Sequence, residues 1–157
     1  MKFSLFASLL LFVAAVVQAQ NTAPVSVKDA WVRATVPSQK TTGAFMQLSA
    51  AAGSRLVAVR SPAAGSVEIH EMAMVDNVMK MRALPGIDLP PGKTVELKSG
   101  GYHVMLINLK SPVRAGGSVP LTLVFEGKDR KRQSVEVKAA VRALNTLAKA
   151  DEQHKGQ

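Results

Sequence analysis

The chain has 157 residues, a formal net charge of +9 and no cysteine. This length favours one domain. The lack of cysteine excludes a disulfide-stabilised scaffold and any site that depends on a thiolate.

The N-terminal segment, residues 1–19, is predicted to be a secretory signal peptide. Lys2 supplies a positive charge, residues 9–17 form an unbroken apolar run, and the small residue Ala19 precedes the expected cleavage. A membrane anchor is the alternative, but the run is short for a span of about 20 residues. No second stretch of spanning length follows. We therefore expect a periplasmic protein without an integral membrane span after signal removal.

The charge balance of the exported chain is basic, since the loss of Lys2 still leaves +8. A basic chain can bind nucleic acid, but an exported protein meets little of it, and no nucleic-acid partner is expected. A charged protein surface or an anionic membrane face is the more plausible partner. The densest basic cluster, residues 128–132, is interpreted as a solvated hairpin tip.

Short segments of alternating apolar and polar residues begin at residue 27. Val67-Glu68-Ile69-His70 is one example, and its period of two is typical of a half-buried β-strand. Turn residues recur at intervals of about ten residues. Strands are predicted over residues 27–33, 43–48, 56–60, 67–74, 78–82, 94–97, 102–109, 120–125 and 134–141. This pattern predicts an all-β sandwich or Greek-key barrel, as one domain over residues 20–144 with a flexible polar tail at 145–157.

Imidazole and thioether side chains occur at the spacing His-x10-Met-x21-His-x-Met, formed by His70, Met81, His103 and Met105. The chain contains only three histidines and seven methionines, so this grouping is notable. Imidazole and thioether donors without thiolate suit a soft monovalent metal ion, of which copper(I) is the obvious one. The alternative is ordinary packing, since methionine fills core gaps. Two histidines on an apolar face disfavour it, and we predict a metal site at these four residues.

The two strands that carry most of the methionines are separated only by a turn near residues 75–78. Residues two apart in a strand share a face, and an even loop keeps the donors of both strands together. One even register opposes His70 to Met81, and another opposes Met72 to Met81. A loop with an odd number of residues would place Lys80 opposite Met72, so that a charged side chain would interrupt the row of donors. Three methionines are predicted as secondary metal ligands or outer-shell packing residues: Met72, Met74 and Met79.

The metal motif and several other segments resemble the periplasmic copper(I) chaperones called PCuAC proteins. The resemblance covers residues 27–143 and includes Ala30-Trp31-Val32-Arg33-Ala34, Thr42-Gly43-Ala44-Phe45-Met46 and Gly101-Tyr102-His103-Val104-Met105. It implies a cupredoxin-like β-barrel that binds one copper(I) through residues matching His70, Met81, His103 and Met105. It also implies delivery to the dinuclear copper site of cytochrome c oxidase. The implied partner is a copper acceptor such as subunit II of that enzyme, with a thiol-containing Sco-type copper chaperone.

Three positions depart from the family pattern. An aromatic residue with a hydroxyl is common where Phe45 stands, and a turn glycine is common near Asn77, although asparagine tolerates a similar backbone. The tail offers only His154, so no second copper site of the kind some members carry there is expected.

Other functional classes are disfavoured by the same residues. A blue-copper electron carrier needs a cysteine thiolate. An enzyme needs a nucleophile or an acid–base pair, and no such signature stands out, so no catalytic residue is expected. The runner-up function is copper sequestration or resistance in the same compartment. An adhesion or assembly domain is a further alternative, because fold does not determine function.

Overall fold

The computed structural model describes residues 24–143. The predicted signal peptide and polar tail lie outside the described residues. In the described part of the chain there is no helix long and apolar enough to cross a membrane. Ten β-strands form the fold: β1 Val25–Arg33, β2 Thr41–Ala50, β3 Ser54–Arg60, β4 Ala64–Val75, β5 Val78–Leu84, β6 Ile87–Leu89, β7 Thr94–Leu97, β8 Tyr102–Leu109, β9 Ser118–Glu126 and β10 Arg132–Arg142.

The nine predicted strands are all present, most of them longer by a few residues at their ends. Sequence reasoning missed β6, a three-residue strand between Pro85-Gly86 and Pro90-Pro91. The strand was not predicted because the three residues between these turn signals are too few to show an alternating pattern. Ile87 and Leu89 are nevertheless buried, and the strand pairs with β3.

The strands form one open sheet in the order β5-β4-β8-β2-β1-β10-β9-β3-β6, with β7 paired to β2 outside this path. The β1–β10 pair is parallel, and the other pairs are antiparallel. Residues 41–44 of β2 pair with β8 and residues 46–49 pair with β7. Several pairs of adjacent strands are therefore distant from each other in the sequence. One such pair is β4 and β8, which lie side by side in the sheet. The predicted all-β, cupredoxin-like fold is confirmed.

The core occupies one face of β4 and β8 and leaves the other face free for polar and soft side chains. Val104 and Leu106 of β8 are fully buried, as is Val32 of β1, and Ile69 of β4 packs with them. Burying such a side chain stabilises the fold by about 1.5–3 kcal/mol. Because side chains alternate along a strand, this packing directs residues 70, 103 and 105 to the opposite face.

The β4–β5 hairpin is closed by a two-residue turn at Asp76-Asn77. Both residues have positive φ, 52° and 59°, as a type I′ turn requires. Val75 pairs with Val78, and Met72 opposes Met81, which is the second of the two predicted registers. The pairing of β4 with β8 stops at Glu71, so the end of the hairpin projects past β8. β5 forms an edge of the sheet.

Candidate metal centre

His103 lies near the start of β8 and is only 6% exposed. Its Nδ1 is 3.0 Å from the carbonyl oxygen of Gly101. A carbonyl can only accept, so Nδ1–H donates, and in the neutral ring Nε2 carries the lone pair. A hydrogen bond of this kind holds a metal-binding imidazole in one tautomer and orientation. The nitrogen left free is therefore Nε2.

The free nitrogen of His103 meets a thioether from a strand that is not its neighbour. The Sδ atom of Met81 lies 3.2 Å from Nε2 of His103, although β4 separates β5 from β8. Metal–nitrogen and metal–sulfur bonds of about 2.0 and 2.3 Å place two ligands of one ion roughly 3–4 Å apart. The two donors are thus already at a separation that suits a shared ion.

His70 stands directly opposite His103 in the pairing of β4 with β8. The two rings are 5.8 Å apart between centroids and inclined at 68°. Nε2 of His70 lies 2.7 Å from Oε2 of Glu68. An ionised carboxylate only accepts hydrogen bonds, so Nε2–H donates and Nδ1 is unprotonated in the neutral ring.

This Nδ1 atom of His70 is buried and has no hydrogen-bond partner among the residues that the structure describes. An unpaired buried polar atom costs about 1–3 kcal/mol. Coordination of a metal ion would remove that cost. An unprotonated imidazole nitrogen without a partner fits the role of a metal ligand, which packing alone does not require.

Met105 shares a face with His103 and is half-buried on β8. It opposes Glu68 on one side and Gly43 on the other. Met105 and His103 line a cleft of about 420 Å³ together with Met72. This volume is much larger than one ion needs, so an incoming ligand has room to approach.

The far wall of this cleft is built on β2 and β1. A Cβ atom on Gly43 would come within 2.8 Å of the ring of Phe45, so the glycine allows that ring to lie over the backbone of β2. Phe45 packs on Trp31 with ring centroids 4.5 Å apart, and the guanidinium carbon of Arg33 lies 5.5 Å from the Phe45 centroid. Phe45 therefore serves as an apolar wall, a role for which no hydroxyl is needed.

The three secondary methionines differ in position. Met72 opposes Met81 and lines the cleft. Met74 and Met79 oppose each other one step further out on the same face. The structure thus brings His70, Met81, His103 and Met105 to one face of the sheet, with Met72 beside them.

Sequence reasoning missed two residues that orient the imidazoles, Glu68 and Gly101. Glu68 could have been found, because it lies two residues before His70 and therefore on the same face. The carbonyl of Gly101 carries no signal in its side chain. Glu71 lies on the face opposite His70, where it forms an ion pair with Arg82 at 2.7 Å.

The site is poor in the ligands of harder metal ions. No group of three or more His, Cys, Asp or Glu side chains that could hold a metal ion occurs within residues 24–143. Hard and borderline divalent ions generally require such groups. The predicted donors here are imidazoles and thioethers, and the neighbouring carboxylate of Glu68 is already bonded to His70.

Comparison with known proteins identifies the family of this chain. Residues 25–141 match the LpqE-like family of lipoproteins. The lipoprotein Lxx21020 of Leifsonia xyli subsp. xyli is 31% identical over 115 residues, which cover 73% of this chain and 69% of that protein. The lipoprotein description is consistent with the predicted export.

Solved structures show the same fold. The apo PCuAC domain from PmoF1 is 27% identical with a TM-score of 0.63, covering 78% of this chain and 97% of that one. The copper-bound PCuAC domain from PmoF2 is 28% identical with a TM-score of 0.62, covering 78% and 96%. The copper(I) form of DR1885 from Deinococcus radiodurans is 31% identical with a TM-score of 0.56, covering 82% and 85%. The predicted resemblance is confirmed: the chain belongs to the LpqE-like family and is related to the PCuAC proteins.

Proposed function

We propose that this protein is a periplasmic copper(I) chaperone that holds one ion through His70, Met81, His103 and Met105 and delivers it to a copper enzyme. The observation that carries the proposal is the 3.2 Å approach of Met81 Sδ to the free Nε2 of His103, with the unpartnered Nδ1 of His70 on the facing strand. The relatives solved with copper support the identity of the ion.

The donor set favours copper(I) over other ions. Thioethers are soft and neutral, and they select copper(I), whereas zinc is bound by cysteine, histidine and carboxylate ligands. Glu68 and the carbonyl of Gly101 hold the two rings in fixed tautomers, so little reorientation is needed when the ion binds. Copper is the cargo of this site, and no catalytic step is assigned to the protein.

Exposure of one ligand favours release. Met81 is 51% exposed and lies on an edge strand, so an incoming ligand can displace it without opening the core. Thioethers are weaker donors than thiolates, which favours transfer to a thiol-containing Sco-type chaperone or to the dinuclear site of cytochrome c oxidase subunit II. The basic chain would be steered towards an acidic acceptor, and this steering should weaken as salt rises.

Sequestration is the second candidate function. The burial of His103 favours it, because a ligand shielded from solvent resists displacement. Deleting the gene distinguishes the two functions. Delivery predicts less copper in, and lower activity of, an extracytoplasmic copper enzyme when copper is scarce. Unchanged oxidase activity with sensitivity only to excess copper would support sequestration.

Copper(I) titration against a chromophoric chelator under reducing conditions tests binding itself. We expect one tightly bound equivalent, and we expect Met81→Leu to weaken it by about tenfold, or about 1.4 kcal/mol. Met46→Leu is the matched control, since Met46 is buried in the core on the other side of the sheet. Equal affinity for zinc, or a larger loss for Met72→Leu than for Met81→Leu, would contradict the assigned ligand set.

A further inference from the structure

The outer end of the β4–β5 hairpin carries a methionine pair that the four-ligand site does not use. Met74 opposes Met79, one step beyond the pair formed by Met72 and Met81. Met74 is 62% exposed and Met79 is 45% exposed. Two large, opposed thioether side chains therefore stand in solvent beside the candidate site.

The two faces of this hairpin carry different types of side chain. The face opposite the methionines carries the Ala73–Lys80 pair and the Glu71–Arg82 ion pair. The exposed Val75–Val78 pair next to the turn lies on this same face. The other face carries four thioethers in two successive pairs, so all the hairpin methionines lie on the face of the candidate site.

The spacing makes these thioethers a continuous path. Opposed residues of an antiparallel pair lie about 4.5–5.5 Å apart, and successive residues on one face lie about 7 Å apart along the strand. Methionine has three flexible side-chain bonds, so its sulfur can cover such gaps. The inner end of the path is already in contact with an imidazole, through Met81 Sδ and His103 Nε2.

We propose that Met74 and Met79 form an outer copper(I)-binding position through which the ion enters and leaves the inner site. This proposal rests on the proposed function. The ion exchanges the thioethers of Met74 and Met79 for those of Met72 and Met81. Met105 then replaces Met72, and the imidazoles of His70 and His103 complete the inner site. Every ligand that enters or leaves is neutral, and copper remains copper(I) throughout. A position built of thioethers alone binds copper(I) more weakly than a site that includes imidazoles. Weak binding suits a position that the ion occupies only briefly.

The test is the rate of copper(I) removal from the full-length exported chain by a small chelator, followed by stopped-flow absorbance. Met74→Leu/Met79→Leu keeps the apolar surface but removes both sulfurs. We expect its inner-site affinity to stay within about twofold of the original chain while transfer slows by about tenfold. With excess copper(I), the methyl NMR signals of Met74 and Met79 should shift in the original chain.

A matched control separates thioether chemistry from apolar contact. Val75 and Val78 are exposed at the same hairpin end, and Val75→Thr/Val78→Thr lowers the apolar surface while keeping all four sulfurs. This variant should transfer copper(I) at the original rate. Equal slowing in both variants, an unchanged rate in the methionine variant, or a loss of inner-site affinity as large as that of Met81→Leu would each overturn the outer position. Failure of the original chain to bind copper(I) would instead overturn the proposed function.

Discussion

The two histidines and the four hairpin methionines form contrasting halves of one face. The imidazoles lie on β4 and β8, the second and third strands from the edge, and each is held by a hydrogen bond, His70 to Glu68 and His103 to Gly101. The methionines project on an edge hairpin, where Met74, Met79 and Met81 are all exposed. A half held rigid by hydrogen bonds suits selection and retention of an ion, whereas an exposed thioether half suits exchange. The contrast assigns most of the copper(I) affinity to the imidazoles, with a smaller share to Met81, and assigns the rate of exchange to the hairpin methionines.

The largest effect is expected when the rigid half is broken. His103→Ala removes the donor that contacts Met81 and should weaken copper(I) binding by about 100-fold, equivalent to about 2.7 kcal/mol. Chelator competition measures this loss, and circular dichroism checks that the variant folds. An affinity equal to that of the Met46→Leu control would show that the histidines are packing residues.

A smaller loss of copper(I) affinity is expected when both histidines remain but one of them loses the hydrogen bond that orients it. Glu68→Ala frees the His70 ring from its 2.7 Å contact, and loss of such an orienting partner typically costs about 10–100-fold in metal affinity. Glu68→Gln keeps an oxygen acceptor and should lose less. Nitrogen NMR of His70 should show mixed tautomers in the alanine variant. Identical affinities for all three chains would exclude an orienting role for Glu68.

Sequence reasoning reached much of this architecture because the relevant signals are local. Alternation located nine strands, and the absence of cysteine with the His–Met spacing identified the donor set. Other features depend on distant contacts. The spacing grouped Met81 with His103, but the route by which they meet, across the intervening strand β4, depends on pairing between distant segments. The register stayed open between two even choices until the positive φ values of Asp76 and Asn77 and the Val75–Val78 pair resolved it.

An intermediate effect on copper(I) affinity is expected from a change in the wall of the cleft. Gly43→Ala would bring a Cβ atom to 2.8 Å from the Phe45 ring, and such overpacking typically costs about 1–3 kcal/mol. Thermal unfolding should show lower stability, and displaced Phe45 should crowd Met105 and lower copper(I) affinity modestly. Unaltered stability would mean that the ring moves without cost.

The smallest effect is expected at the hairpin turn. Asn77 has φ of 59°, a conformation that glycine adopts without steric cost. Asn77→Gly should leave copper(I) affinity unchanged and stability within about 0.5 kcal/mol. Asn77→Val, which disfavours that backbone conformation, should lower stability and slow copper(I) transfer by disordering the methionine pairs. Equal transfer rates in both variants would show that hairpin order does not govern exchange.

The central claim is that one copper(I) ion is shared by the imidazoles of His70 and His103, the hairpin thioether of Met81 and the thioether of Met105. X-ray absorption spectroscopy of the loaded protein tests this most directly. We expect both nitrogen and sulfur scatterers around copper(I), with the sulfur contribution reduced in Met81→Leu and unchanged in Met46→Leu. A spectrum with nitrogen or oxygen scatterers alone, or a sulfur contribution unaffected by Met81→Leu, would contradict the account.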